Sequence, residues 1–146
     1  MRSEAMPTEA MRADVGRAAA RPAVLLIDDD DDARDACQLI LEMEGYRIIV
    51  AGSAEAALDE LRLRPQALCL IVLDLMMPRM NGRDFLTLKA TVAALADVPV
   101  IVVSASHEPG RGLVTQDVKA VLGKPIRLVE LLETVRRWAG PQGSAH

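Results

Sequence analysis

The stretch VLLIDDDDDARD, residues 24–35, places five consecutive aspartates directly after four aliphatic residues. An apolar run without polar alternation is typical of a strand in a parallel sheet that helices cover on both faces. Adjacent carboxylates repel one another and destabilise a fold unless a cation, a helix end or water compensates them. The stretch therefore predicts a buried strand, and the rest of the chain must show which compensation applies to its acids.

Short apolar runs alternate with helical patterns along the chain. Strands are predicted at residues 24–27, 47–51, 68–74 and 98–105, and a fifth apolar run ends at Lys124 and Pro125. Helices are predicted at residues 31–44, 54–63, 83–96 and 128–139. This alternation predicts a single α/β domain, a doubly wound five-stranded parallel sheet with helices on both faces. One proline and two glycines between residues 106 and 116 make any helix there short or irregular.

The two ends of the chain have a different character. Residues 1–22 lack apolar periodicity and end at Pro22, which predicts a disordered leader, and residues 140–146 form a Gly, Pro and Ser tail that we expect to be flexible. The folded domain is therefore expected to cover residues 23–139. Because the chain ends soon after its last predicted helix, the sequence favours a domain that acts without an attached output domain.

Composition excludes several functional classes. A net charge of −4 argues against a nucleic-acid surface, which needs clustered Lys and Arg. No apolar run approaches the roughly 18 residues that span a bilayer, so no membrane segment is predicted. Cys37 and Cys69 lie in apolar segments without metal-ligand or CxxC spacing, which indicates small buried side chains in a reducing cytoplasm.

Reactive side chains follow four of the five predicted strands. Asp28 and Asp29 follow the first, Asp74 ends the third, Ser104 lies at the end of the fourth, and Lys124 ends the fifth. Ligands of open parallel sheets bind outside the carboxyl ends of the strands, so we expect these five side chains to converge. Three carboxylates favour a hard divalent cation such as Mg²⁺. A hydroxyl and an ammonium can hold phosphoryl oxygens, and one carboxylate can act as the nucleophile that forms an aspartyl phosphate.

Four motifs, in this order at these strand ends, make the chain resemble the receiver domain of two-component response regulators. They are IDD (27–29), LDLMMPRMNG (73–82), SA (104–105) and KP (124–125). The resemblance covers residues 23–139 and is closest to stand-alone, chemotaxis-type receivers. It implies the flavodoxin-like strand order 2-1-3-4-5.

The resemblance also implies a role for each matching residue. Asp74 is expected to be the phosphoacceptor, Asp29 a direct metal ligand and Asp28 an acid that holds the metal through water. The backbone carbonyl of Met76 would complete the metal site, while Ser104 and Lys124 would bind phosphoryl oxygens. The remaining expectations are loop-shaping roles for Pro78, Gly82 and Pro125, and an influence on phosphoryl lifetime from the side chains of Met76 and Ser106.

The family further implies a switch rather than an enzyme. A sensor histidine kinase or a histidine phosphotransfer protein would donate the phosphoryl group, and the domain would catalyse its own transfer and dephosphorylation. Signalling would then proceed through an unidentified downstream protein or a phosphorelay. The sequence leaves the oligomeric state open between a monomer and a weak dimer.

One departure from the family pattern is Val121, where receivers usually carry an aromatic residue whose rotation reports phosphorylation. It supports one alternative, a phosphorylation-independent interaction module on the same fold. A second alternative is a phosphatase of the haloacid dehalogenase type, but such enzymes need an acid two residues after the nucleophile, where this chain has Met76.

The acidic run also admits two simpler interpretations. A DxDxD calcium loop fails, because its sixth position is Ala33 rather than Gly and its twelfth is Leu39 rather than Glu. Asp30, Asp31 and Asp32 are better explained as N-cap and first-turn acids of the following helix.

Overall fold

A computed structural model describes residues 21–76, 80–105 and 117–140, and within these ranges the chain forms one five-stranded sheet. The strands are β1 (Ala23–Ile27), β2 (Ile48–Ala51), β3 (Leu68–Asp74), β4 (Val100–Ser104) and β5 (Val118–Gly123). All neighbours pair in parallel, in the order β2-β1-β3-β4-β5. The predicted doubly wound fold and its strand order are therefore confirmed.

The helices pack on both faces of this sheet. They are α1 (Asp31–Met43), α2 (Ala54–Leu63), α3 (Gly82–Lys89), α4 (Ala93–Ala96) and α5 (Leu128–Ala139). Val24 and Leu26 of β1 pack with side chains of α1 and α5, whereas Leu25 and Ile27 pack with side chains of α2, α3 and α4. Successive residues of a strand point to opposite faces, so an uninterrupted apolar strand supplies both cores at once.

The single helix predicted over residues 83–96 is wrong, because the structure breaks it into α3 and α4. The Thr91 hydroxyl donates a 2.7 Å hydrogen bond to the Leu88 carbonyl, and Val92 adopts an extended conformation before α4. Hydroxyl and β-branched side chains compete with helical backbone geometry in this way. The Lys89 ammonium then reaches forward to the Ala96 carbonyl at 2.8 Å, which ties the two helices together.

The start of α1 explains most of the acidic run. Asp30 is the N-cap, and its side chain accepts a 3.1 Å hydrogen bond from the Ala33 N–H. Asp31 and Asp32 occupy the first turn, where negative charge stabilises the helix macrodipole. Asp31 also pairs with Arg34 at 2.6 Å. The interpretation of these three acids as helix-starting residues is confirmed.

The predicted burial of the two cysteines is confirmed for Cys37 and only in part for Cys69. Cys37 is buried in α1 and Cys69 is half-buried in β3, and neither forms a disulfide. Burial raises the pKa of the Cys37 thiol to about 11, so it is protonated near neutral pH. It acts as a small apolar side chain in the core.

Candidate functional site

The reactive side chains gather at the carboxyl edge of the sheet. Asp28 and Asp29 follow β1, Asp74 ends β3, Ser104 ends β4, and Lys124 follows β5. The strand order reverses at β1, because β2 lies on one side of β1 and β3 lies on the other. This switch point is where open α/β sheets form a crevice for ligands.

The three aspartates form a compact acidic cluster. One carboxylate oxygen from each of Asp28, Asp29 and Asp74 lies within 4.8 Å of the other two. Asp28 and Asp74 are buried, whereas Asp29 is exposed. In an octahedral Mg²⁺ site the ligand oxygens lie about 3.0 to 4.2 Å from one another, because each is about 2.1 Å from the ion. Three carboxylate oxygens this close together are the kind of ligand set that a hard divalent cation binds.

Lys124 supplies positive charge to the same cluster. Its ammonium donates a 3.1 Å hydrogen bond to Oδ2 of Asp74 and lies 3.8 Å from Oδ2 of Asp28. Burial alone would lower the pKa of Lys124, but the hydrogen bond to Asp74 and the charges of the three aspartates raise it above its usual value. The ammonium is thus held charged beside two buried carboxylates.

Asp74 is held by two donors at the bottom of the crevice. Its Oδ1 accepts a 3.1 Å hydrogen bond from the Met76 N–H, and its Oδ2 accepts the bond from Lys124. Burial raises the pKa of the Asp74 carboxyl, although both hydrogen bonds oppose this shift. These contacts orient the carboxylate, and its burial leaves it poorly solvated, which is common for carboxylates at functional sites.

Ser104 is buried at the end of β4, next to the point where Lys124 leaves β5. Its carbonyl accepts a 3.0 Å hydrogen bond from the Lys124 N–H, and Gly123 is its partner in the β4–β5 ladder. The backbone therefore fixes the serine and the lysine in neighbouring positions. Both residues lie where the sequence predicted them.

Arg34 is a contributor that the sequence did not suggest. Its guanidinium donates a 2.9 Å hydrogen bond to the Asp28 carbonyl while it pairs with Asp31. Oδ1 of Asp28 accepts a further 2.9 Å hydrogen bond from the Asp30 N–H. Arg34 and the N-cap turn thus hold Asp28 in place. The i,i+3 spacing of Asp31 and Arg34 was visible in the sequence, but the bond to the strand end was not.

The proposed loop-shaping and modulating residues are described only in part. The Lys124–Pro125 peptide bond is cis. The Met76 side chain is 65% exposed, and Val121 is half-buried against the core on the α2 and α3 face. Pro78 and Ser106 lie outside the described residues.

Gly82 begins α3 at a very close approach to the segment that follows Asp74. Its N–H donates a 2.9 Å hydrogen bond to the Leu75 carbonyl. A Cβ at this position would lie 2.7 Å from the Leu75 Cα and 2.9 Å from the Leu75 Cδ1. The backbone can come this close only because the residue is glycine.

Gly82→Ala is therefore expected to lower the free energy of unfolding by about 1–3 kcal/mol, the usual cost of overpacking a tight site. Urea denaturation of the two variants Gly82→Ala and Gly123→Ala measures this effect. A Cβ on Gly123 meets nothing within 4 Å, so that variant is the matched control and should change stability little. Equal losses in both variants would contradict the role of the close approach.

No helix in the part of the chain that the structure describes is long and apolar enough to cross a membrane.

Known proteins share both sequence and fold with this chain. A family model described as "Response regulator receiver domain" matches residues 24–136. The transcriptional regulatory protein CpxR of Escherichia coli K12 is 43% identical over 82 residues, which are 56% of this chain and 33% of CpxR. The sensory/regulatory protein RpfC of Xanthomonas campestris is 32% identical over 124 residues, which cover 82% of this chain and 17% of RpfC. The chain thus spans a third or less of these two curated relatives.

Solved structures agree with the sequence matches. The chemotaxis protein CheY4 of Vibrio cholerae superposes with a TM-score of 0.72 over 82% of this chain and 99% of that chain, at 23% identity, which is a likeness of fold. A response regulator receiver protein from Pseudomonas putida superposes with a TM-score of 0.69 over 82% of this chain and 98% of that chain, at 32% identity.

Proposed function

This chain belongs to the response regulator receiver domain family, and we propose from that membership that it accepts a phosphoryl group on Asp74. The observation that carries the proposal is the contact of the Lys124 ammonium with Asp74 at 3.1 Å, inside a cluster of three carboxylates. Asp28 is also buried in this cluster, but its Oδ2 lies 3.8 Å from the Lys124 ammonium, whereas Asp74 accepts a hydrogen bond from that ammonium. The phosphodonor in this proposal is the phosphohistidine of a sensor kinase or of a phosphotransfer protein.

The chemistry uses groups that the fold already holds in place. An Asp74 carboxylate oxygen attacks phosphorus, the P–N bond of the phosphohistidine breaks, and the imidazole leaves. The Lys124 ammonium, adjacent to Asp74, pairs with an oxygen of the transferred group. Ser104, whose carbonyl accepts from the Lys124 N–H, would bind a second oxygen. Water later hydrolyses the acyl phosphate and restores the carboxylate.

Asp29, Asp74 and the Met76 carbonyl are the proposed direct ligands of Mg²⁺, and Asp28 is proposed to hold the ion through water. The three carboxylates belong to one cluster. When bound, the ion neutralises negative charge that would otherwise repel the incoming phosphoryl group. The acids come from two separate strands, so the folded sheet has to assemble the site.

A donor protein would meet an open cavity that is bordered by Lys124, whose ammonium contacts Asp74. This cavity has a volume of about 560 Å³, and its lining residues include Cys37, Lys124, Ile126 and Leu128. Because its wall is largely apolar and Lys124 borders it, it offers a protein partner a surface beside Asp74. The signal would then pass to a second protein by contact or to a relay by onward transfer. We propose that these steps occur in the cytoplasm, where the free thiols of Cys37 and Cys69 stay reduced.

Incubation with acetyl phosphate and Mg²⁺, followed by intact mass measurement, tests the proposal. The expected result is the mass of one added phosphoryl group, which disappears in mild base as acyl phosphates do. Absence of the adduct with small donors and with phosphorylated kinases would favour a phosphorylation-independent interaction module. Turnover of unrelated phosphate esters would favour a phosphatase, although the Met76 thioether cannot supply the general acid that such an enzyme needs.

Mg²⁺ is expected to stabilise the wild type and to stabilise Asp29→Asn much less. Binding to the folded state alone adds about 2.7 kcal/mol when the ion is at 100 times its Kd. Asp29 is exposed, so its replacement removes a ligand without opening the core. Thermal unfolding with and without EDTA measures the difference. Asp59→Asn is the control, because Asp59 is 67% exposed in α2 and pairs only with Arg62 among the contacts described. Equal responses to Mg²⁺ in wild type and Asp29→Asn would contradict the assignment.

A further inference from the structure

Lys89 is the one buried cation among the described residues, and the proposed phosphotransfer does not use it. Its side chain is 1% exposed at the end of α3. Its ammonium donates a 2.8 Å hydrogen bond to the Ala96 carbonyl and lies 3.7 Å from Oδ2 of Asp117. A buried ammonium is costly unless it is paired and hydrogen-bonded, so its position depends on these two partners.

These contacts lie at the edge of the sheet opposite the acidic cluster. Asp117 directly precedes β5, and Lys124 directly follows it. At the other end of α3, the Gly82 N–H bonds the Leu75 carbonyl, one residue after Asp74. Lys89 therefore connects the end of α3 to the start of β5. The start of α3 contacts the residue after Asp74, and the end of β5 leads directly to Lys124. β4 lies between β3 and β5 in the sheet, so β5 does not pair with the strand that carries Asp74.

β5 needs such an anchor, because it is an edge strand with an irregular start. It pairs with β4 alone, and the register shifts between the pairs Val100–Val118 and Ile101–Ala120. At its start, the Val100 N–H bonds the Asp117 carbonyl at 2.8 Å. At its end, the Lys124 N–H bonds the Ser104 carbonyl at 3.0 Å. Because β5 is hydrogen-bonded on one side only, fewer contacts fix its exact position than fix that of a central strand.

We propose that Lys89 is a positioning residue for Lys124. By holding Asp117, it sets the position of β5 along its axis, and that position places the Lys124 ammonium 3.1 Å from Asp74. Because this contact is only 3.1 Å long, a displacement of β5 by a fraction of its rise of about 3.3 Å per residue is enough to weaken it. The consequence for phosphotransfer rests on the proposed function, whereas the positioning itself does not.

Lys89→Met tests this role, since it keeps the length of the side chain and removes its charge. NMR hydrogen exchange of the Lys124 amide reports the far end of β5 directly. We expect its protection, and the rate of phosphorylation by acetyl phosphate, to fall on the order of three- to tenfold. Lys119→Met is the matched control, because it removes the same charge from β5 at a side chain that lies over the Trp138 ring.

A double-mutant cycle separates positioning from general destabilisation. In a Lys124→Ala background, Lys89→Met should cause no further loss of phosphorylation rate, because its effect acts through the missing ammonium. Asp117→Asn, at a side chain 44% exposed, should reproduce the effect and serves if Lys89→Met does not fold.

Three outcomes would overturn the positioning role. The first is that Lys89→Met leaves the hydrogen-exchange protection of the Lys124 amide unchanged. The second is that Lys89→Met lowers the phosphorylation rate equally in the wild-type and Lys124→Ala backgrounds. The third is that Lys119→Met has as large an effect as Lys89→Met. If the wild type gains no phosphoryl group, the proposed function fails, and exchange of the Lys124 amide still decides whether Lys89 positions β5.

Discussion

Asp74→Asn is expected to abolish the phosphoryl adduct. The amide oxygen and nitrogen of asparagine are poor nucleophiles, and the variant keeps nearly the same shape. The Met76 N–H can still donate to the side-chain oxygen, as it does to Oδ1 of Asp74 at 3.1 Å. The loop after β3 should therefore remain folded while its chemistry disappears, and intact mass measurement after incubation with acetyl phosphate and Mg²⁺ should detect no addition.

Asp59→Asn provides the control for that experiment. Asp59 is an exposed acid of α2 that pairs with Arg62 at 3.1 Å, and exposed pairs of this kind contribute little to stability. The control should gain one phosphoryl group at the wild-type rate. An adduct that persists in Asp74→Asn would assign the acceptor to another side chain and would contradict the proposed site.

Phe85→Ala is expected to lower the free energy of unfolding by about 3–5 kcal/mol. Phe85 is fully buried on α3 and is the only phenylalanine of the chain. It belongs to the core between the sheet and the α2 and α3 face, together with Leu73 and Leu75 on either side of Asp74. Its removal leaves a cavity beneath the segment that carries the acceptor, and this loss is a large part of the stability of a single domain.

Urea unfolding of wild type, Phe85→Ala and Phe85→Leu measures that loss. The leucine variant fills more of the space and should lose clearly less than the alanine variant. A loss below about 1 kcal/mol for Phe85→Ala would mean that α3 closes onto the sheet, so that no cavity remains.

Local sequence pattern predicted most of the fold and which side chains meet at the carboxyl edge of the sheet. β3, α2 and α5 begin and end at the predicted residues, because apolar runs, the Ser53 cap and the glycine and proline boundaries are local signals. The site residues followed from one rule of parallel sheets, namely that their strands end at a common edge. The break between α3 and α4 escaped this reasoning, since it involves a buried lysine that returns to the carbonyl of Ala96.

The residues that follow each predicted strand are sufficient to identify the family and to predict which aspartates, serine and lysine lie at the site. The distances between those groups cannot be predicted from local sequence, because Lys124 and Asp74 are 50 residues apart and come into contact only through the order of the strands. Packing at long range also decides that Lys89 is buried against Asp117 and that Arg34 holds Asp28.

The five aspartates of the opening stretch show both contributions together. A local rule accounts for Asp30, Asp31 and Asp32, because a helix N-terminus stabilises acids in its cap and first turn. Asp28 and Asp29 depend on the folded sheet, which brings Asp74 and Lys124 to them and forms the cluster that we propose binds a cation. Side-chain periodicity and capping act over a few residues, whereas a charge cluster exists only once distant strands have paired.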